Sequence, residues 1–154
     1  MDSAKKDGRY ARVYTQLVEL MKKSNDTTAQ MCTISSVLKH KFDYFFWCGF
    51  YCLTPDDRLV VRTYQGPVAC MELRKDVGVC WAGINQRKSI LVFDVEEFPG
   101  HIACDSRSKS EVVIPVFNSS NEIIGVLDVD SSETNSFDEV DVKWLEKIVE
   151  LLKK

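Results

Sequence analysis

No apolar run in this 154-residue chain approaches the ~18 residues of a membrane span, and the polar start Met1-Asp-Ser-Ala-Lys-Lys-Asp7 has no apolar stretch behind it. The expectation is a cytoplasmic protein with no membrane partner. Nucleic acid fits equally poorly, because the net charge is −3 and the lysines and arginines are dispersed rather than gathered into a stripe. A Gly-rich phosphate loop, Gly-x-Ser-x-Gly and His-Glu-x-x-His are all missing, which removes the usual footholds of nucleotide hydrolysis and of serine or zinc hydrolase chemistry. There is no Cys-x-x-Cys pair, so His101-x-x-Cys104 stands alone as metal-ligand spacing and no metal is expected. Internal repeats, low-complexity stretches and linkers are also absent. One domain over residues 1–154 is expected, long enough to bury a proper core.

What is present is thiol. The six cysteines (32, 48, 52, 70, 80, 104) fall well under the ~8–10% that marks a disulfide-built scaffold. A packed core must therefore hold the fold, and in a reducing compartment the thiols are expected to be catalytic or buried rather than cross-linked.

The pattern along the chain reads as α+β. Apolar residues at 10, 13, 14, 17, 20 and 21 predict an amphipathic helix from Tyr10, and Met31, Ile34, Val37 and Leu38 predict a second. Asp43 to Leu53 is aromatic and β-rich, with Trp47 and Tyr51 on one face and Cys48 and Cys52 on the other. Pro55-Asp-Asp57 turns it into Arg58 to Tyr64 as a hairpin, and Ser89 to Asp94 fits a further strand. Glu111 to Phe117 and Glu122 to Asp130 form another hairpin; with Phe117 opposite Glu122, Glu111 falls opposite Asp128. Ser136-Phe-Asp-Glu139 predicts a capping box, opening a helix that buries Val140, Trp144, Ile148 and Leu151. The expected architecture is an antiparallel sheet flanked by N- and C-terminal helices.

Chemistry concentrates in a few positions, each with a plainer alternative. Cys104 follows Pro99-Gly100 in a loop-like stretch beside His101 and Asp105; it is either an exposed nucleophile or a small hydrophobe under a loop. Cys80, after Gly78, opens a short helix through Gln86, where the helix dipole favours thiolate, unless it is simply core. Nothing local decides the role of Cys70. Cys32, Cys48 and Cys52 are expected in the core. Alternation puts Glu111, Asp128 and Asp130 on one face, where like charges need a ligand ammonium, a shared proton or water, unless they project into solvent. Trp47 and Tyr51 either wall a small pocket or pack the core.

Taken together, Trp47-Cys-Gly-Phe-Tyr51, Gln65-Gly-Pro-Val-Ala-Cys70, Gly78-Val-Cys80, Phe98-Pro-Gly-His-Ile-Ala-Cys-Asp-Ser106, Ser110-Glu111 and Gly125-Val-Leu-Asp-Val-Asp130 resemble the GAF-domain free methionine-(R)-sulfoxide reductases. The resemblance runs from the first helix to the last, and the spacings of ten residues from Cys70 to Cys80 and twenty-four from Cys80 to Cys104 match the family's cysteine triad. It implies a single GAF domain in which Cys104 is the nucleophile, Cys70 the resolving thiol and Cys80 an auxiliary or alternative resolving thiol. It also implies that Glu111 and Asp130 engage the sulfoxide, that Asp128 shapes the polar end of the site, and that Trp47 and Tyr51 enclose the substrate methyl. Two departures stand out: Lys75-Asp76-Val77 before Gly78, and Trp81 where a small residue is usual.

The implied reaction needs an acid at the sulfoxide oxygen and a thiolate at sulfur, then a sulfenic acid, a disulfide, and a thioredoxin-like reductant. No cofactor is implied, and a homodimer is typical of the family. The competing readings are a non-catalytic GAF sensor of a small ligand, such as a cyclic nucleotide, and a thiol peroxide sensor. Asn135-Ser-Phe-Asp-Glu139 resembles a motif of nucleotide-binding GAF domains, yet reads better as the start of the last helix. The sensor reading is further weakened by the lack of an output domain, and its bilin-binding variant by the lack of a Cys-His dipeptide.

Overall fold

Strand pairing organises the chain around one antiparallel sheet of order β3-β2-β1-β6-β5-β4 in the computed structural model, which describes residues 1–101 and 104–154. The strands are β1 Trp47–Leu53, β2 Leu59–Gln65, β3 Glu72–Leu73, β4 Ile90–Val92, β5 Ser110–Phe117 and β6 Ile123–Ser131. The helices are α1 Ser3–Met21, α2 Thr27–Lys41, α3 Val79–Gln86 and α4 Glu139–Val149. The α+β expectation holds. Ile102 and Ala103 of the Phe98–Ser106 motif lie outside the described residues.

Helices α1, α2 and α4 cover one face of the sheet, where Cys48, Phe50, Val112, Ile114, Leu127 and Val129 meet Tyr10, Leu17, Ile34, Leu38, Leu145 and Ile148. The opposite face carries Trp47, Tyr51, Val113 and Val126 and is covered by α3. Trp47 and Tyr51 thus face away from Cys48 and Cys52, as alternation predicts. No helix of the described residues is long and apolar enough to cross a membrane.

Several expectations are corrected. Helix α1 begins at Ser3, capped by Asp2, rather than near Tyr10. Its first turns are polar, but Lys6 is buried because its ammonium donates to the buried Asp141 carboxylate at 2.6 Å. The same carboxylate accepts from the Tyr10 and Tyr44 hydroxyls at 2.7 and 2.6 Å, joining α1, α4 and the approach to β1. The capping box of α4 is formed by Asp138 and Asp141, not Ser136 and Glu139. Ser136 is engaged instead with the Ser131 hydroxyl and the Glu133 carbonyl. The fully buried stripe of α4 is Asp141, Leu145, Ile148 and Val149. Val140, Trp144 and Leu151 are only partly buried, and the Trp144 indole donates to Asp7 at the rim. Cys32 is exposed on the outer face of α2, while Cys48 is buried and Cys52 partly so.

The β5–β6 register differs from expectation by two residues: Glu111 pairs with Asp130, and Val113 with Asp128. Phe117 pairs with Ile123 rather than Glu122, which adds one residue to the turn, and an irregularity beside Val116 leaves Ile124 unpaired, which adds another. An even total shift keeps every side chain on its face. Strand β4 is shorter than the expected Ser89 to Asp94, because Asp94 caps a 3-10 turn over Val95–Glu97.

Candidate active site

The sheet face under α3 holds a concave cavity, open at its mouth, with aromatic and aliphatic walls and a few convergent polar groups, the usual make-up of a small-molecule site. Its polar floor is set by strand register. Asp130 of β6 lies between Trp47 of β1 and Glu111 of β5, and Asp128 lies between Gly49 and Val113 in the next row. A Cβ at Gly49 would stand 2.7 Å from the Trp47 ring, so glycine there leaves room for the ring to lie along the sheet. The Trp47 and Tyr51 rings stack with centroids 5.8 Å apart and form the aromatic wall.

Two loops close the mouth, and the Cys70–Cys104 disulfide joins them across 34 residues of sequence. Cys104 is exposed and Cys70 partly buried. Aromatic donors pin the Cys70 loop: the Trp47 indole donates to the Pro67 carbonyl at 3.1 Å, and the Tyr51 hydroxyl to the Cys70 carbonyl at 2.9 Å. The Trp81 indole donates to the Leu73 carbonyl at 3.2 Å. The departure at Trp81 therefore has a structural role, tying α3 to β3, a strand too short for sequence pattern to reveal. From the other loop, His101 sets its Nε2 3.5 Å from Glu111 Oε1. Asp105 is held by Arg107 at 2.6 and 3.0 Å, which keeps its pKa down at about 2.

Burial governs the electrostatics. Glu111 is 5% exposed and Asp128 6%, so these carboxyls do not project into solvent. Burial and the nearby Asp130 charge push Glu111 up to about 8. Asp128 is raised by burial and Glu111, and Asp130 by burial and Asp128. One Asp128 oxygen, Oδ1, is buried without a hydrogen-bond partner among the described residues. Cys80 is buried in the core, and the helix-dipole alternative for it does not hold: burial, reinforced by the Asp128 and Glu111 charges, pushes its thiol pKa up, so Cys80 is held as a thiol. Such an arrangement presents a protonated Glu111 carboxyl, with Asp128 and Asp130 beside it, to a bound polar group next to two cysteines able to exchange electrons.

A family model for the GAF domain matches residues 26–153. GAF domain-containing protein A of Dictyostelium discoideum is 46% identical over 147 residues, covering 96% of this chain and 92% of its own. The free methionine-R-sulfoxide reductase of Escherichia coli is 36% identical over 145 residues, covering 94% of this chain and 87% of its own. The crystal structure of free methionine-R-sulfoxide reductase from Neisseria meningitidis, in complex with its substrate, matches with a TM-score of 0.92 at 37% identity, covering 99% of this chain and 89% of that one. This chain belongs to the GAF-domain free methionine-R-sulfoxide reductase family.

All eight positions singled out from the sequence of this family member converge here. Trp47, Tyr51, Cys80, Cys104, Glu111, Asp128 and Asp130 line the cavity, and Cys70 reaches it through its disulfide. Among the described residues, the group spaced to hold a metal ion is Cys80, Glu111 and Asp128, not His101 with Cys104. The approach of His101 to Glu111 and the anchoring role of Trp81 had no sequence signal, because both depend on loops folding back over the sheet.

Proposed function

We propose that this protein reduces free L-methionine-(R)-sulfoxide to L-methionine, and that the disulfide lying over a buried, proton-holding carboxyl cluster is the observation that carries the reading. A sulfoxide sulfur becomes electrophilic when its oxygen is protonated or strongly hydrogen-bonded. Glu111, with its pKa near 8, keeps a proton at neutral pH and donates it toward that oxygen, with Asp130 beside it. Asp128, with an unpartnered buried oxygen, completes the polar end and suits the substrate ammonium. Trp47 and Tyr51 enclose the S-methyl group.

The Cys104 thiolate attacks sulfur and forms a Cys104–substrate S–S bond while the substrate S–O bond breaks and its oxygen, protonated by Glu111 and solvent, leaves as water. Water then attacks the Cys104 sulfur and releases a proton, and the S–S bond breaks with its electron pair on the departing methionine. Cys104 is thereby oxidised to the sulfenic acid. The Cys70 thiol then displaces hydroxide, which departs as water with the thiol proton, and the observed disulfide forms. An external dithiol of the thioredoxin type reduces it by two exchange steps and is itself oxidised to a disulfide. Cys80 is the auxiliary thiol. A cytoplasmic setting and a homodimer complete the reading, on the strength of the family.

The deciding experiment couples NADPH oxidation through thioredoxin to free (R)-sulfoxide, free (S)-sulfoxide and a peptide-bound sulfoxide. Turnover of the free (R) epimer alone is expected; absence of turnover with every substrate would return the protein to the ligand-sensor reading.

A protein reductant must reach the disulfide, and beside Cys70 stand Val68 and Met71, 82% and 78% exposed. Replacing Met71, which does not line the cavity, by aspartate is expected to raise KM for thioredoxin by about tenfold, a loss of roughly 1.4 kcal/mol of apolar contact. Turnover supported by dithiothreitol should be unchanged. Equal losses with both reductants would show that the side chain serves the fold rather than docking.

A further inference from the structure

We propose that Cys80, Glu111 and Asp128 form a binding site for a thiophilic divalent cation of the zinc class, which occupies the cavity in competition with substrate. One sulfur and two carboxylate oxygens lie within 4.8 Å of one another, all on buried residues. Zn–S and Zn–O bonds of ~2.3 and ~2.1 Å place tetrahedral ligand atoms roughly 3.6 Å apart. Modest rotation of the two carboxylates closes that difference. His101 Nε2 stands 3.5 Å from Glu111 Oε1, on the edge of this group.

An independent observation points to a ligand: Asp128 is 6% exposed, lines the cavity, and its Oδ1 has no hydrogen-bond partner among the described residues. Buried acceptors of this kind ordinarily have a partner. No lysine or arginine lines the cavity among the described residues, so the chain supplies no cation of its own to this carboxyl cluster. One sulfur and only two carboxylates select a borderline ion over magnesium or calcium, which demand more oxygen ligands. Binding releases the Cys80 proton and carboxyl protons to solvent, so affinity rises with pH. The ion occupies the groups assigned above to the sulfoxide and the ammonium, hence the competition. That last consequence rests on the reductase reading; binding of the ion does not.

The test uses the full chain in its Cys70–Cys104 disulfide form, which removes those two thiols as ligands, titrated with Co²⁺ as a coloured stand-in for zinc. The expected result is one equivalent bound with a thiolate-to-cobalt absorption band, insensitive to excess Mg²⁺ and displaced by free methionine sulfoxide. The band should vanish in Cys80→Ser, persist in Cys32→Ser, and require more than about tenfold higher Co²⁺ in Asp128→Asn, which supplies a second test should Cys80→Ser fold poorly. A band absent from the wild type, or surviving in a folded Cys80→Ser, overturns the site; failure of methionine sulfoxide to displace it overturns the competition. An enzyme that binds Co²⁺ in this way yet turns over no sulfoxide would sink the reductase reading alone.

Discussion

Cys104→Ser is expected to release no methionine even in a single turnover, a loss of at least about 10⁴-fold, whereas Cys70→Ser should release one equivalent and stop. The two cysteines share a disulfide, so geometry alone treats them as equals. Their surroundings do not. Cys104 is exposed at the mouth of the cavity, where it can ionise and later meet a reductant. Cys70 sits on a loop whose backbone is fixed by the Tyr51 and Trp47 hydrogen bonds, suiting a thiol that waits for its partner. In Cys70→Ser the sulfenic acid on Cys104 should accumulate, because Cys80 is held protonated beneath the cavity and attacks poorly. Quench-flow release of methionine, with dimedone labelling and mass mapping of the labelled cysteine, checks both halves. Dimedone on Cys70 in a Cys104→Ser enzyme that still gives a burst would reverse the two roles.

Glu111→Gln is expected to lower kcat/KM by roughly 10²- to 10³-fold, the range of a general acid, and at the same time to make the folded protein more stable. The folded pKa of Glu111 lies near 8 against an ordinary value of 4.5. Between those limits the folded chain holds a proton that the unfolded chain has lost, so stability falls as pH rises through this window and levels off above about 8. At pH 7 the penalty relative to an unperturbed carboxyl is about 3 kcal/mol. Glutamine does not titrate, so the variant should melt several degrees higher at neutral pH, at roughly 2–4 °C per kcal/mol for a chain of this size. Near pH 4.5 the difference should shrink. Activity has the matching sign: the wild-type profile should rise as the attacking thiol ionises and fall as pH passes about 8. Paired thermal melts and pH–rate profiles test both; a variant equally active and no more stable would remove Glu111 from the proton-donating role.

How much of this was legible beforehand depends on the range of the interactions. Period-two alternation by itself placed Trp47 opposite in face to Cys48, and grouped Glu111 with Asp128 and Asp130, because side-chain direction in a strand is a local property. That grouping survived a register error of two residues at the β5–β6 turn, since an even shift returns each side chain to its own face. A one-residue error would have emptied the site. The helical pattern located α1 and α2, but not the true start of α1: a buried Lys6 looks polar until Asp141, Tyr10 and Tyr44 are brought to it.

The chemistry of the site needed the tertiary structure. An isolated helix N-terminus would lower the pKa of Cys80, yet three carboxyls from two strands share its buried surroundings and the balance reverses. The pairing of Cys70 with Cys104 was implied by the family resemblance and is the disulfide seen, whereas the approach of His101 to Glu111 depends on a loop returning over the sheet, which no residue spacing encodes. By itself the sequence determined which side chains share a face and which cysteines stand in loops, because those follow from backbone geometry over a few residues. How deeply Cys80 is desolvated, and which acid keeps its proton, only the packed sheet decided, because distance and desolvation are properties of the folded whole.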